Sequence, residues 1–391
     1  MTTIYINIGQ LLTFDVHKDY LRFNELDQLA LIHDAYMLVT DGVITEIGPN
    51  KQRPNKLEHK VIDCHNKLVT PGLIDPLAQL TYAGARLDEL DHPATPSLDR
   101  VMTTVDATDK TSFEQLTHLT EQRLKTLLAH GVTTVGVQTG YGVHPEQELR
   151  LLEVLNNVVT KQTVQRYLFA QTCGTLEPKK LLQDYILLIK QNRHLLDGVT
   201  IQVHDKTFTQ DVARTFLFQV RDLGLHTQVH ADQFQMESAA ELAGEIKANA
   251  ALHVNHSSKY GLKKIGASTT VACLMPLSAH FKKSKQPSID VLKETNAIVS
   301  IATGHNPVTA PSLHVTHVMQ LAHRLLQLTP KQVLNAMTIN AAYQLGLETG
   351  RLFEGAEATF VVWDCPTYDH LFYHQAMNLV QDVYIKGVKT E

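Results

Sequence analysis

From about residue 63 to about residue 350 the chain alternates short apolar runs with longer segments of helical period, and no other feature limits its fold as much. The runs are Leu68–Ile74, Val132–Gln138, Arg166–Thr172, Gly198–Gln202, Leu225–His230, Ala250–Val254, Thr269–Leu274 and Ala297–Ala302. Segments such as Phe113–His130, Pro145–Val159, Pro178–Arg193, Thr209–Leu223 and Met236–Ile246 separate most of them. A short continuous apolar run reads as a strand buried on both faces, and a helix between two such runs supplies the crossover that parallel strands need. Eight repeats of this unit predict an α/β fold, a (β/α)8 TIM-like barrel, with its active site at the C-terminal ends of the strands.

The two ends of the chain read differently. Residues 3–14 and 36–48 are rich in Ile, Val, Leu and Tyr, and Val39-Thr40-Asp41-Gly42-Val43-Ile44 places apolar residues on both sides of Asp-Gly, a hairpin signal. Residues 15–35 mix charges with Leu and read as a loop with little regular structure. After helices expected at Leu313–Gln327 and Pro330–Leu345, strand character returns at Thr359–Trp363 and Val380–Lys386. These runs lie outside the barrel count, so the expected arrangement is a small β-sandwich built from residues 1–62 and 351–391 beside a barrel of residues 63–350.

Charge and cysteine usage narrow the partners. A net charge of −5, from 35 basic and 40 acidic residues, makes no single-sign field of the kind a nucleic-acid binder carries, so a small-molecule ligand is expected. Cys64, Cys173, Cys273 and Cys365 are widely spread with no Cys-x-x-Cys pair, which fits a reducing compartment. The N-terminus has no basic run followed by an apolar segment, and no apolar stretch approaches the ~20 residues that span a bilayer. A soluble, cytoplasmic protein without membrane contact is expected.

Particular segments carry a family resemblance: Pro71-Gly72-Leu73-Ile74-Asp75-Pro76, Ala83-Gly84-Ala85-Arg86, Gly131-Val132-Thr133-Thr134-Val135, Gly140-Tyr141-Gly142, His230-Ala231-Asp232-Gln233, Asn306-Pro307 and Thr338-Ile339-Asn340-Ala341-Ala342. Together they identify the chain as similar, over nearly its whole length, to imidazolonepropionase. That amidohydrolase of histidine degradation hydrolyses the ring of 4-imidazolone-5-propanoate. The resemblance implies an amidohydrolase barrel, a mononuclear metal centre and a homodimer.

Carried over position by position, the resemblance also shows departures. The two histidines that end the family's first barrel strand correspond to Leu77 and Gln79, and the aspartate that ends the eighth corresponds to Gly304. The histidine ending the fifth strand is kept as His230. A catalytic zinc or iron takes about three protein ligands and lowers the pKa of its water towards ~7. One imidazole does not hold such an ion, so no resident metal is expected. Arg86 and Tyr141 match residues that hold the substrate's propionate and ring, and a guanidinium suits a carboxylate. Thr172 stands for the family's histidine after strand three, and Gln138 for its lysine. The histidine near the end of strand six aligns with His256, the candidate catalytic residue, with His253 as the neighbouring alternative.

Each of these residues also has a plainer reading. His230 is either a remaining ligand or substrate hydrogen-bond donor, or a satisfied core histidine. Arg86 with Tyr141 is either an anion pocket, or a salt bridge and a packed aromatic. His305 stands next to the vacated aspartate position as a substitute nitrogen, although adjacent residues point in different directions. Cys173 reads as a buried thiol. Of the 21 histidines, His118, His130, His194 and His323 read as solvated surface residues, and His314 with His317 as a solvated helix face.

The expectation is an imidazolonepropionase-like homologue with a degraded metal centre, keeping a pocket for a small carboxylate-bearing, imidazole-like ligand. Two alternatives stay open. One is a working cyclic-amide C–N hydrolase with zinc or iron at a relocated site formed by His230, His256 and His305. The other is a structural or assembly protein.

Overall fold

The computed structural model describes residues 2–54, 60–87, 98–171, 177–204 and 208–390. Its strands at the chain ends pair with one another rather than with the barrel. β1 (Thr2–Leu12) lies between β2 (Leu31–Thr40) and the parallel strands β4 (Lys60–Asp63) and β5 (Leu68–Pro71), and β3 (Val43–Pro49) pairs with β2. Asp41 and Gly42 turn the β2–β3 hairpin with φ of 50° and 83°, the two positive values a type I′ turn requires. The loop expected over residues 15–35 gives up its last residues to β2, which begins at Leu31.

Eight strands then pair in parallel in chain order: β6 (Leu73–Ala78), β7 (Val132–Gln138), β8 (Thr163–Ala170), β9 (Gly198–Gln202), β10 (His226–Ala231), β11 (Ala250–His253), β12 (Val271–Leu274) and β13 (Ile298–Ile301). The segment after β13 returns to β6. Gly304 N donates to Leu77 O at 3.1 Å and Gln79 N to His305 O at 2.7 Å, which closes the ring at its C-terminal rim. At the far end of the chain, β14 (Phe360–Trp363), β15 (Val380–Ile385) and β16 (Val388–Lys389) join the terminal sheet through β5. The architecture is therefore the expected (β/α)8 barrel with a small β domain made by both termini. Tyr5, Phe360 and Tyr384 anchor that domain's own core, with the Tyr5 ring edge-on to Phe360 at 5.0 Å.

The apolar run Leu68–Ile74 is not one strand. It breaks at Gly72, whose Cβ would lie 2.0 Å from Thr133 Oγ1, and passes from the terminal sheet into the barrel within three residues.

Helices fill the crossovers. α1 (Leu98–Asp109) and α2 (Phe113–Ala129) follow β6, α3 (Pro145–Asn157) follows β7, α4 (Pro178–Gln191) follows β8, and α5 (Gln210–Asp222) follows β9. α6 (Ala239–Glu245), α7 (Lys259–Gly266), α8 (Pro276–Phe281) and α9 (Ile289–Glu294) come next, then α10 (Val315–Leu325), α11 (Pro330–Ala336) and α12 (Ile339–Gln344) after β13, with α13 (His370–Tyr373) before β15. The helix expected over Pro330–Leu345 is thus two helices, divided at Thr338, whose φ of −127° and ψ of −91° leave the helical region.

That division places two asparagines against the N-terminal loop. Asn335 Nδ2 donates to the carbonyls of Leu26 and Gln28, each at 2.8 Å. Asn340 exchanges hydrogen bonds with the backbone N–H and carbonyl of Leu21 at 2.8 and 2.9 Å and donates to Val299 O at 2.8 Å. Buried side-chain amides used in this way satisfy the backbone of a loop whose Phe14, Leu21, Phe23 and Leu26 are themselves packed into the barrel core.

Candidate functional site

The C-terminal rim surrounds a cavity of about 150 Å3 that opens to solvent. Its wall takes residues from the ends of several strands, because side chains just beyond a barrel strand's last hydrogen-bonded residue point over the mouth. Asp75 anchors the first of these ends. Its buried carboxylate accepts from Thr303 N at 2.9 Å and from Thr303 Oγ1, tying β6 to the segment after β13. Burial pushes its pKa up to about 6, against the opposing pull of the Thr303 and Leu77 hydrogen bonds.

The three positions where the resemblance places metal ligands that this chain lacks, Leu77, Gln79 and Gly304, all line this cavity, and each is filled or spoken for. Leu77 is 2 % exposed and packs in an apolar cluster with Leu252, Cys273, Met275 and Ala302. Gly304 has φ +57°, and a Cβ there would lie 2.8 Å from Sδ and 3.1 Å from Cγ of Met275. The Met275 thioether therefore occupies the space that a side chain at position 304 would use. Gln79 is held in place, its Nε2 donating to Thr139 O at 3.1 Å and its Oε1 accepting from Tyr141 OH at 3.3 Å.

His230 stands at the end of β10 with Nε2 3.2 Å from the side-chain amide of Gln138. Phe169 stacks on its ring at 4.6 Å. Removal from water, with no counter-charge to offset it, lowers its pKa to about 3, so it is neutral at physiological pH. The next ring, His253, lies 5.2 Å from His230, is 3 % exposed, and has no hydrogen-bond partner for Nδ1. Burial, and then the neighbouring His230, depress its pKa well below the usual histidine value. His305 is fixed from both sides, with Nε2 3.1 Å from Tyr82 OH and Nδ1 3.2 Å from Ser312 O, and burial brings its pKa down to about 4.

Several expectations change here. The strand-six histidine on the cavity is His253 and not His256, whose backbone N–H donates to Asp232 O outside the lining. The φ values of 74° at His253 and 52° at Val254 turn the chain sharply at the strand end, which decides between two histidines three residues apart. Arg86 is not on the cavity either. It lines an adjacent groove with Tyr82, Phe281 and Pro307, and its charge is felt at Tyr141. Thr172 and Cys173 lie outside the described residues. His118 and His194 are exposed as expected, but His130 is half-buried, with its ring 4.3 Å from that of His314. His314 is the N-cap of α10, its Nδ1 accepting from His317 N at 3.3 Å, rather than part of a bare solvated face.

Sequence reasoning missed other residues of the site. Met275 lies one residue beyond an apolar run and reads as core. Gln202 and Gln233 line the cavity from just inside and just beyond the ends of β9 and β10, positions the strand-end rule marks. Glu148, fully buried on α3, accepts from the N–H groups of Gly142 and Val143 at 2.9 and 3.0 Å and so holds the loop that carries Tyr141. Burial raises its pKa. Among the described residues, no three His, Cys, Asp or Glu side chains stand close enough to share a metal ion.

The amidohydrolase family model matches residues 62–389. The chain belongs to the amidohydrolase family. Among curated members it is 31% identical to the imidazolonepropionase of Bacillus mycoides over 407 aligned residues, covering 99% of this chain and 96% of that one. It is 32% identical to the imidazolonepropionase of Bacillus cytotoxicus, covering 97% and 95%. Solved structures share the fold at much lower identity. The E. coli guanine deaminase superposes with a TM-score of 0.71 at 15% identity, over 100% of this chain and 99% of that chain. An atrazine chlorohydrolase from Arthrobacter aurescens superposes with 0.75 at 14%, over 99% and 94%. This amidohydrolase is thus imidazolonepropionase-like along its whole length.

Proposed function

We propose that this imidazolonepropionase-like chain does not carry out metal-dependent ring hydrolysis and instead binds a small, imidazole-like ring in the cavity at the strand ends. The observation that carries the reading is the relation of Met275 to Gly304, because it concerns space as well as donors. A carboxylate at position 304 would require the Met275 thioether to leave the volume it fills, since a Cβ there would lie 2.8 Å from its sulfur. The remaining donors do not fit a metal. Leu77 offers no lone pair, Gln79 is committed to Thr139 and Tyr141, and the imidazole of His230 is paired with Gln138. In a working amidohydrolase the metal supplies hydroxide at neutral pH.

The recessed wall, with its mixture of apolar and neutral polar groups, is the usual make-up of a small-molecule site. The propionate-binding role expected of Arg86 is left out, since Arg86 faces the neighbouring groove. We place the protein in a reducing, cytoplasmic setting, in keeping with Cys64, Cys273 and Cys365, which are buried and unpaired.

Elemental analysis of the purified full chain, followed by assay with imidazolone propionate, tests the reading. The expected result is substoichiometric zinc and iron and no turnover above the uncatalysed rate. One equivalent of either metal together with turnover would overturn it.

A further inference from the structure

We propose that the cavity takes a single uncharged ring bearing an adjacent hydrogen-bond donor and acceptor, as in a cyclic urea, imide or lactam, and discriminates against the same ring carrying a carboxylate. The inference rests on the reading of the cavity as a ligand site and adds the chemical class of the ligand.

Size sets the first limit. An apolar cavity near 150 Å3 accommodates benzene, so the volume of about 150 Å3 here suits one ring.

The polar wall sets the second. Five glutamines line it: Gln79, Gln138, Gln171, Gln202 and Gln233. The first three are engaged, Gln79 with Thr139 and Tyr141, Gln138 with His230, and Gln171 with Gly140 O and Glu148. Gln202 and Gln233 are the two whose amides remain for a ligand. A primary amide offers N–H and C=O side by side, the complement of the cis amide edge of a small ring. Near them His253, 3 % exposed, lines the same cavity with its Nδ1 lacking a protein partner.

Charge sets the third. Among the described residues, no Lys, Arg, Asp or Glu lines the cavity. Arg123 and Arg86, whose charges are felt at Tyr141, make their contacts elsewhere. Arg123 lies over the Tyr82 ring at 3.7 Å and donates to the carbonyls of Leu80 and Tyr82, and Arg86 faces the adjacent groove. His230, His253 and His305 are held neutral by burial and supply no compensating charge. A carboxylate taken into such a wall loses its hydration with no cation in the described lining to pair with it, and an unpaired buried charge is strongly disfavoured.

Calorimetric titration of the full chain with two matched pairs tests this: hydantoin against hydantoin-5-acetate, and uracil against orotate. At least one neutral member is expected to bind, with its acid about tenfold weaker or more, a difference of about 1.4 kcal/mol. An acid that binds as tightly as its neutral partner, or more tightly, overturns the inference and leaves the ligand-site reading standing. No binding by any of the four overturns both. Gln233→Arg, at a half-exposed position, adds a cation to the wall and is expected to move the preference towards the acid by about tenfold. An unchanged preference in a folded Q233R variant overturns the assignment of the ligand to this wall.

Discussion

A Cβ placed on Gly304 would come 2.8 Å from the sulfur of Met275, so the side chain at 275 and any side chain at 304 compete for one volume. Aspartate tolerates the left-handed region better than most residues, which makes the clash with Met275, and not the φ of +57°, the main penalty for Gly304→Asp. Overpacking of this kind is expected to lower stability by about 1–3 kcal/mol. Adding Met275→Ala in the same chain should recover part of the loss. A double-mutant cycle on urea midpoints reads the coupling, expected at about 0.5–3 kcal/mol. Strictly additive losses would show that the two positions do not share space.

The same competition governs any attempt to rebuild a metal centre. A chain carrying Leu77→His, Gln79→His and Gly304→Asp but keeping Met275 is expected to retain no zinc after dialysis. The further substitution of Met275 by Ala frees the volume and should raise zinc retention towards one equivalent, with His230 as the existing ligand. Equal zinc in the two chains, measured by elemental analysis, would contradict the steric account.

Stability should fall on mild acidification. The folded pKa values of His230, at about 3, and of His305 and His130, at about 4, all lie below the ordinary 6.5. The unfolded chain therefore takes up these protons first, so this contribution is complete above pH 6.5 and is lost as the pH falls towards 4. Asp75 acts in the opposite sense. Its folded value of about 6 lies above the ordinary 3.8, so its contribution is full below 3.8 and fades as the pH rises through 6. The histidines, joined by His253, outnumber it. Thermal midpoints are expected to drop between pH 7 and pH 4.5, with a shallower drop in His230→Gln. A flat profile over that range would rule out neutral buried histidines.

The barrel was legible because eight apolar runs with helices between them admit few other arrangements, and β7 and β9 keep the expected bounds. Leu68–Ile74 misled because an apolar run reports burial but not which strand lies beside it, and here the partner changes at Gly72. The site was legible in part. Leu77, Gln79, His230 and Gly304, the positions the resemblance singled out, line one cavity. His253 and His256 could not be separated from spacing alone, since a backbone turn with positive φ chooses between them. Arg86 sits in a loop, where sequence fixes identity but not direction, and Met275 reads as core because a methionine that fills a vacated pocket looks like any other buried methionine.

Asn340 joins α12 to the N-terminal loop by two hydrogen bonds with Leu21, of 2.8 and 2.9 Å, and to β13 by a third to Val299 O at 2.8 Å, all buried. Replacement by Ala leaves the N–H and carbonyl of Leu21 and the carbonyl of Val299 without these partners. Buried groups stranded in this way are disfavoured by about 1–3 kcal/mol each before relaxation, so a net loss of about 2–4 kcal/mol is expected. Urea unfolding measures it, and limited proteolysis should show earlier cleavage within residues 15–30. A loss below about 0.5 kcal/mol, the range of an ordinary surface change, would mean that the loop is held by other contacts.

Glu148 links the helix α3 to the cavity, accepting from Gly142 N and Val143 N and from the Gln171 side chain, while Tyr141, one residue before Gly142, reaches Gln79. Val143 has a φ of 58°, a conformation a β-branched residue rarely adopts unless its surroundings hold it there. Glu148→Ala removes the acceptor for two buried N–H groups and should release that strain, at a stability loss of about 2–4 kcal/mol. Hydrogen exchange at Gly142 and Val143 is expected to accelerate by an order of magnitude or more, while exchange in β10 changes only as far as global stability does. Because Tyr141 helps orient Gln79, ring binding should weaken alongside. Retained protection at Gly142 and Val143 in a folded E148A chain would show that the loop is positioned by its packing against Tyr82 and Leu151 and not by the carboxylate.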